Sequence, residues 1–162
     1  MGENRFADRS TVSAKDEWLT PPLIIRSLGE FDLDPCAPVK RPWDTARKHF
    51  TIEDDGLSKE WEGRVWCNPP YGMQTKKWLN HLSRHGNGIA LIFARTETKM
   101  FFDYVWDKAD ALYFIKGRLR FYHVDGTEAK NSAGAPSVLV AYGKDNIISL
   151  SNCVCDGKLI VL

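Results

Sequence analysis

The sequence predicts an α/β fold in which a mostly parallel sheet carries helices on its faces and closes with antiparallel strands. Patterns typical of strands and helices alternate along much of the chain, as expected for such a sheet. The segment "GIALIFART" is a continuous apolar run, which indicates a strand covered on both faces. Three later segments, "ALYFIKGRLRFY", "PSVLVAYG" and "GKLIVL", are strand patterns separated by turn signals, and they supply the closing end.

Length and composition set the limits of this prediction. The 162 residues fit one domain that can close its own core, and 43% hydrophobic residues are typical of a globular protein. A net charge of +1 excludes a protein that is basic throughout, so any surface for nucleic acid must be local. No apolar run reaches the roughly 20 residues of a membrane helix, and "MGENRFADRS" lacks a secretory signal's apolar core. We expect a cytoplasmic protein.

Prolines and a glycine predict where the first helix and the first strand begin and end. In "TPPLIIRSLG" the prolines open a helix that Thr20 caps and Gly29 ends. The segment "FDLDPCAP" predicts a brief strand, residues 31–34, that stops at a proline. A polar stretch, "KRPWDTARKHFTIEDDGLSKEWEG", then predicts irregular structure with one short strand near Phe50.

The middle of the chain predicts a strand, a helix, a strand and a second helix. "RVWCNPPYG" is a strand that runs into a turn, and "TKKWLNHLSRHG" places Trp78, Leu79 and Leu82 on one helical face. "KMFFDYVWDKA" predicts a helix whose aromatic residues we assign to the core. The four cysteines contain no C-x-x-C pair, and we expect them to be reduced.

The turn Asn68-Pro69-Pro70-Tyr71 carries the strongest functional signal. Proline donates no backbone hydrogen bond and fixes φ, and Asn68 before a proline is pushed toward extended backbone, so the turn is stiff. Ligands of α/β sheets bind at the carboxyl ends of strands, where "DPCA", "NPPYG" and "ART" would converge on one crevice. A structural turn with a packed tyrosine is the alternative, and "PPYG" alone would favour it.

Three segments taken together, "DEWLTPP", "DLDPCA" and "NPPY", resemble the small phage-type DNA N6-adenine methyltransferases from about Asp16 to Tyr142. The resemblance implies an abbreviated Rossmann-like methyltransferase sheet, S-adenosyl-L-methionine as cofactor and adenine N6 in double-stranded DNA as substrate. It also implies a phage-encoded protein acting in the cytoplasm of a bacterial host. RNA adenine or a protein glutamine is an alternative substrate, and a non-enzymatic DNA-binding module is an alternative role.

The chemistry of adenine explains the residue types of the turn. An exocyclic amine is a poor nucleophile because its lone pair is delocalised into the ring. Asn68 Oδ1 and the Pro69 carbonyl could accept its two hydrogens and aim the lone pair at a methyl group, while Tyr71 stacks on a base extruded from the duplex. The predicted catalytic residues are Asn68, Pro69, Pro70 and Tyr71.

The predicted cofactor site combines three segments. Asp34 ends the first strand and could meet the methionine amino group or the ribose, above a floor formed by the following loop, and the resemblance assigns "WLTPP" to the methionine side. An acid about 20 positions further on often binds ribose; in "EDDGL" we favour Asp55, with a solvated acidic turn as the alternative. The candidates are Trp18, Thr20, Pro21, Asp34, Pro35, Cys36, Ala37, Asp54 and Asp55.

DNA contacts must come from loops, because residues 1–162 leave no room for a separate recognition domain and residues 1–15 are predicted to form a flexible arm. Positive side chains there would bind phosphates, and the long glycine-containing loop "HVDGTEAKNSAGA" could reach base edges. The candidates are Lys40, Arg41, Arg47, Lys48, Arg95, Thr96, Arg118 and Arg120. His81 and His85 are spaced to share a metal but lack a further ligand in register, and we predict no metal. The oligomeric state stays open.

Overall fold

The computed structural model describes residues 17–162, so the predicted N-terminal arm lies outside the described part of the chain. The helices are α1 (Pro22–Ser27), α2 (Thr75–His85), α3 (Lys99–Phe101), which continues as a π-helical turn (Phe102–Trp106), and α4 (Asp145–Ser151). The strands are β1 (Leu33–Asp34), β2 (Lys48–His49), β3 (Val65–Cys67), β4 (Gly88–Phe93), β5 (Ala111–Ile115), β6 (Ser137–Tyr142) and β7 (Gly157–Val161). A short 3-10 helix spans Gly56–Ser58. No helix in this part is long and apolar enough to span a membrane.

The seven strands of the described part of the chain form one sheet in the order β2-β1-β3-β4-β6-β5-β7. Neighbours are parallel from β2 through β4, whereas β6 lies antiparallel between β4 and β5 and β7 lies antiparallel to β5. The antiparallel ladders pair six, four and five residues, against two, one and three in the parallel ladders. The prediction of a mostly parallel sheet is therefore wrong. Pro35 and Pro69 follow β1 and β3 and cannot donate to a ladder, which keeps these parallel strands short.

Helices cover both faces of the sheet, and the prediction of an α/β fold is confirmed. Alternate residues of β4 point to opposite faces, with Ile89 and Leu91 in one core and Ala90 and Ile92 in the other. The first core also contains residues of α1 and α4, and the second contains residues of α2 and of the α3 region. The sheet thus separates two hydrophobic layers.

Several predicted boundaries were wrong. Pro21 is the N-cap of α1, and the Thr20 hydroxyl has no hydrogen-bond partner among residues 17–162. The strand predicted near Phe50 is β2, two residues earlier. Not every aromatic residue of the α3 region is in the core: Phe101 is buried but Phe102 is 52% exposed, because adjacent residues of a helix point in different directions.

One side chain connects distant parts of the first hydrophobic layer. The Arg64 guanidinium donates to the carbonyls of Leu28 (2.7 Å) and Glu30 (2.9 Å) and to Asn146 Oδ1 (2.7 Å). It also lies over the Phe31 ring, 4.1 Å from the ring centre. Arg64 therefore joins the end of α1 to the start of α4.

Candidate active site

A cavity of about 310 Å³ opens at the carboxyl ends of β1, β2 and β3. Parallel strands place the loops that follow them on one edge of the sheet, and loops from all three strands supply its wall. We call it the first cavity. Its lining residues are Glu17, Trp18, Pro35, Cys36, Ala37, Pro38, Thr51, Ile52, Asp55, Gly56, Leu57, Asn68, Pro69, Pro70, Tyr71, Gln74 and Trp78.

The first cavity is acidic and largely apolar. Glu17 and Asp55 line it, and no Lys, Arg or His of the described chain does. Burial raises the pKa of the Glu17 carboxyl. Two carboxylates without a nearby cation favour a positively charged ligand, and a phosphate group would be repelled. The cavity therefore suits a cationic molecule with an apolar or aromatic body.

The wall near Asp55 depends on a close approach that sequence analysis missed. A Cβ on Gly56 would overlap the Pro35 carbonyl oxygen, so only glycine lets these two loops meet. Trp61 fixes the turn by donating from Nε1 to the Gly56 carbonyl at 2.9 Å. Trp61 also stacks on His81 at 3.9 Å, and Trp78 lines the cavity beside it. The available signal was the Asp-Gly pair, which marks a turn but not the loop that the turn meets.

Several predicted cofactor residues lie outside the lining. Asp34 is 4% exposed, and its carboxylate accepts hydrogen bonds from the Thr45 hydroxyl and from the Cys36 N–H. Burial raises its pKa to about 6. Asp34 thus lies behind the cavity wall, where it orders the loop that carries Cys36. Thr20 and Pro21 are likewise not among the lining residues.

Asp54 and Asp55 have different surroundings although they are neighbours in the chain. The exposed Asp54 carboxylate accepts from the Thr51 N–H at 2.8 Å and from the Thr51 hydroxyl at 3.2 Å, which closes a local turn. Asp55 lines the first cavity and has a φ of 54°. The structure brings only Asp55 to the cavity.

The Asn68 turn lies at the edge of the first cavity with its side chains held in place. Asn68 Nδ2 donates to the Trp18 carbonyl at 3.1 Å. Asn68 Oδ1 is buried and has no hydrogen-bond partner among residues 17–162. The Thr75 hydroxyl donates to the Pro70 carbonyl at 2.6 Å and ties the turn to α2. Asn68 therefore presents one unsatisfied acceptor.

A second cavity, of about 540 Å³, shares Trp18 and Tyr71 with the first. The Tyr71 ring stacks on Phe93 with ring centres 4.0 Å apart and planes 5° apart. Phe93 therefore covers one face of Tyr71, and a base could stack on this ring only from the other side or after the pair separates. The other lining residues are Phe121, His123, Ala129, Lys130, Asn131, Ser132, Ala133 and Gly134.

Sequence analysis predicted Trp18 and Tyr71 and the loop "HVDGTEAKNSAGA" as parts of the site, but it missed Phe93 and Phe121. Phe93 immediately precedes the "ART" segment and ends β4, so the rule that ligands bind at carboxyl ends of strands could have found it. Phe121, His123 and Lys130 belong to an irregular segment, and no local pattern indicates that the Phe121 side chain faces the cavity. The Tyr71 hydroxyl is also buried without a partner in the described chain, and burial raises its pKa.

The predicted DNA-contacting residues are dispersed. Lys40 and Arg118 are exposed, Arg95 lies 5.9 Å from the centre of the Phe93 ring, and the Thr96 carbonyl accepts from Trp106 Nε1 at 3.1 Å. Arg120 lies 3.9 Å from Glu128.

Arg41, Arg47 and Lys48 are not at the cavities. The Arg41 side chain is bonded to Asp44 at 3.1 Å. Arg47 precedes β2 and donates to Glu30 at 2.6 Å, and Lys48 starts this strand. Since the cavities open at the carboxyl ends, Arg47 and Lys48 lie toward the opposite edge.

The two histidines of α2 have separate partners. His81 stacks on Trp61, and His85 Nε2 lies 2.7 Å from the Gly63 carbonyl oxygen. Within residues 17–162 no group of three or more His, Cys, Asp or Glu side chains is arranged to hold a metal. These histidines therefore pack against, or hydrogen-bond to, neighbouring parts of the chain.

Two adjoining cavities at the carboxyl ends of an α/β sheet, with an unsatisfied amide acceptor in the turn between β3 and α2, are typical of the ligand site of an α/β enzyme. Residues 8–155 match the family described as DNA N-6-adenine-methyltransferase (Dam), and the chain belongs to this family. It is an enzyme that methylates the N6 amino group of adenine in DNA, as the resemblance implied. No curated protein and no solved structure matches the chain.

Proposed function

We propose that the protein binds S-adenosyl-L-methionine in the first cavity and methylates an adenine that is extruded from double-stranded DNA into the second. The observation that carries this proposal is the buried, unpartnered Asn68 Oδ1 beside the first cavity. A buried acceptor without a partner costs about 1 to 3 kcal/mol. A substrate amine would satisfy it.

The composition of the first cavity supports this cofactor. S-adenosyl-L-methionine carries a sulfonium and an ammonium group and has no phosphate, which fits a cavity with Glu17 and Asp55 and no described basic residue. Ile52, Leu57 and Trp78 offer apolar surface for its adenine ring. When bound, the cofactor supplies an electrophilic methyl group. Asp34 acts on this cofactor indirectly, through the loop at Cys36.

The residues of the turn position the substrate amine. Asn68 Oδ1 and the Pro69 carbonyl accept its two hydrogens, which shifts the nitrogen toward a tetrahedral geometry and exposes its lone pair. Tyr71, shared by both cavities, supports the extruded base at the junction. The stiffness of the two prolines keeps these groups fixed before the substrate arrives.

Positive residues around the second cavity are suited to DNA phosphates. Lys130 lines this cavity, Arg95 lies beside Phe93, and Arg120 precedes Phe121, another lining residue. Arg118 is exposed in the same segment. These four side chains would hold the duplex over the opening of the second cavity. The DNA would be that in the cytoplasm of a phage-infected bacterial host.

The test measures transfer of a labelled methyl group from S-adenosyl-L-methionine to unmethylated duplex DNA, to RNA and to protein. We expect duplex DNA to be the acceptor and the label to be recovered as N6-methyladenine. Duplex treated beforehand with enzyme and unlabelled cofactor is the matched control and should accept little label. Preferred transfer to RNA or protein would contradict the proposed duplex substrate, and nothing in the structure favours those acceptors.

A second arm tests the role of the turn. Asn68→Ala removes the unsatisfied acceptor but leaves the prolines and Tyr71, so cofactor affinity by calorimetry and thermal stability should be retained. Turnover should fall by about 10² to 10³, the usual cost of losing one preorganised polar contact. An Asn68→Ala variant that methylates DNA at the parent rate would exclude the proposed mechanism.

A further inference from the structure

The orientation of the Asn68 amide is decided by a main-chain group. The Trp18 carbonyl lies 3.1 Å from the Asn68 amide, and a carbonyl oxygen only accepts hydrogen bonds. The NH2 group of Asn68 must therefore face Trp18, and Oδ1 is turned to the other side. The side-chain torsion that exchanges these two atoms is broad and roughly two-fold, so the amide has no intrinsic preference of its own.

The Trp18 carbonyl is in turn held by a two-residue bridge. Leu19 and Tyr122 exchange both main-chain hydrogen bonds, with N···O distances of 2.8 and 2.9 Å. Leu19 is 5% exposed, and the Tyr122 ring packs edge-on against Trp43 with ring centres 5.5 Å apart. The bridge thus attaches the segment before α1 to the segment after β5.

The same bridge is adjacent to the second cavity. Phe121 and His123, which flank Tyr122, both line that cavity, and the His123 ring packs on Trp18 with ring centres 5.0 Å apart. Tyr122 forms a further bridge with Glu128. The backbone that walls the second cavity is therefore bonded to the residue next to Trp18.

We propose that the Leu19–Tyr122 bridge is a positioning device for catalysis: it holds the Trp18 carbonyl against Asn68 Nδ2 so that Oδ1 alone is available to the substrate amine. The inference rests on the proposed function, because it assigns Asn68 Oδ1 the same role. Leu19 and Tyr122 act through Asn68 and are positioning residues. If the carbonyl moves away, the amide can turn over and present a donor to the amine, which is itself a donor.

The size of the effect follows from one hydrogen bond of ordinary net strength, which shifts an equilibrium by about two- to tenfold. Tyr122→Pro removes the N–H that donates to the Leu19 carbonyl, while Tyr122→Phe keeps it and is the matched control. We expect Tyr122→Pro to lower kcat by about two- to tenfold with cofactor affinity retained. Tyr122→Phe should keep the parent kcat.

A double-mutant cycle distinguishes orientation of the amide from general damage. Either oxygen of a carboxylate can accept from the amine, and the Trp18 carbonyl repels a carboxylate instead of holding it, so in the Asn68→Asp background Tyr122→Pro should not lower kcat. An equal loss in both backgrounds would overturn the proposal, since the bridge would then act on folding or DNA binding alone. Leu19→Pro, which removes the other donor of the bridge, replaces Tyr122→Pro if that variant does not fold.

A second measurement does not depend on the activity of the Asn68→Asp variant. In nitrogen-labelled protein the Nδ2 protons of Asn68 should exchange slowly with solvent, and this protection should be lost in Tyr122→Pro but kept in Tyr122→Phe. Rapid exchange in the parent would overturn the proposal. The proposed function would fail on different results. It is contradicted if the parent enzyme transfers no methyl group to DNA, or if the Asn68→Ala variant keeps the parental turnover. Neither result depends on the exchange rates of the Asn68 protons.

Discussion

Asp54 and Asp55 give a paired test of the cofactor site at the scale of single residues. Of these two residues, Asp55 lines the first cavity, whereas the Asp54 carboxylate is bonded to Thr51. Asp55→Asn should weaken binding of S-adenosyl-L-methionine by about 1.5 to 3 kcal/mol, the range for a hydrogen bond to a charged group. Calorimetry should show little change for Asp54→Asn. The reverse order would assign the cofactor contact to Asp54.

Asp34 predicts a pH dependence of stability. Its pKa is about 6 in the folded protein against an ordinary value of 3.8, because burial disfavours the charged carboxylate. A raised value means that the folded state holds the proton more tightly than the unfolded state, so this stabilisation is complete below about pH 4 and is lost as the pH rises through 6. The difference corresponds to about 3 kcal/mol.

The Asp34→Asn variant measures that contribution, because asparagine keeps the shape of the side chain and does not ionise. Urea unfolding at several pH values should show that the parent loses roughly 2 to 3 kcal/mol more than the variant between pH 4 and pH 7. The hydroxyl of Thr45 and the N–H of Cys36 remain as neighbours in both proteins. Parallel stability curves would mean that Asp34 is not desolvated.

At the scale of elements, the meeting of two loops at Gly56 predicts an asymmetry between glycines. Gly56→Ala forces a methyl group into the Pro35 carbonyl, whereas a Cβ on Gly134 meets nothing within 4 Å; neither residue has a left-handed φ. We expect Gly56→Ala to cost roughly 1 to 3 kcal/mol, as overpacking does, and to weaken cofactor binding. Gly134→Ala should leave the thermal midpoint unchanged. Equal midpoints would exclude the close approach.

Elements with strong local signals could be predicted from the sequence, and the others could not. The apolar run at β4 and the amphipathic pattern of α2 identify those elements because each pattern matches the period of its structure. The insertion of β6 between β4 and β5 depends on pairing between residues far apart in the chain, which has no local signature. For that reason the parallel character of the sheet was overestimated.

Residues of the candidate site likewise differ in whether the sequence predicts them. The Asn68 turn and the loop after β1 are defined by proline and acidic punctuation, and both line the first cavity. Trp78, Phe93 and His123 reach the cavities only through the packing of separate elements. A single sequence does not record which apolar residue faces a cavity and which faces the core.

At the scale of the whole molecule, a near-neutral protein must bind DNA through a few local cations. The net charge is +1, and each neutralised phosphate contributes about 0.9 to the slope of log affinity against log salt. We therefore expect a slope of only a few units for duplex DNA. Affinity that is independent of salt would contradict the proposed phosphate contacts.

Two charge-removing variants locate those contacts. Lys130 lines the second cavity, whereas Arg47 is paired with Glu30 toward the opposite edge of the sheet. Lys130→Ala should reduce the salt slope by about 1, and Arg47→Ala should leave it unchanged. A larger effect from Arg47→Ala would place the DNA on the other edge of the sheet.

The contacts of Arg64 limit where the chain can be cut without loss of stability. Its partner Asn146 is 82 positions further along, so the hydrogen bonds of Arg64 are complete only when the chain is available as far as α4. Contacts of such long separation slow folding and make it cooperative. A fragment that stops before α4 would keep the described lining residues of both cavities but would remove one hydrogen-bond partner of a half-buried guanidinium, whose pKa burial already lowers. We therefore expect α4 to be required for stability, and a tag or a split point should not be placed before or within it.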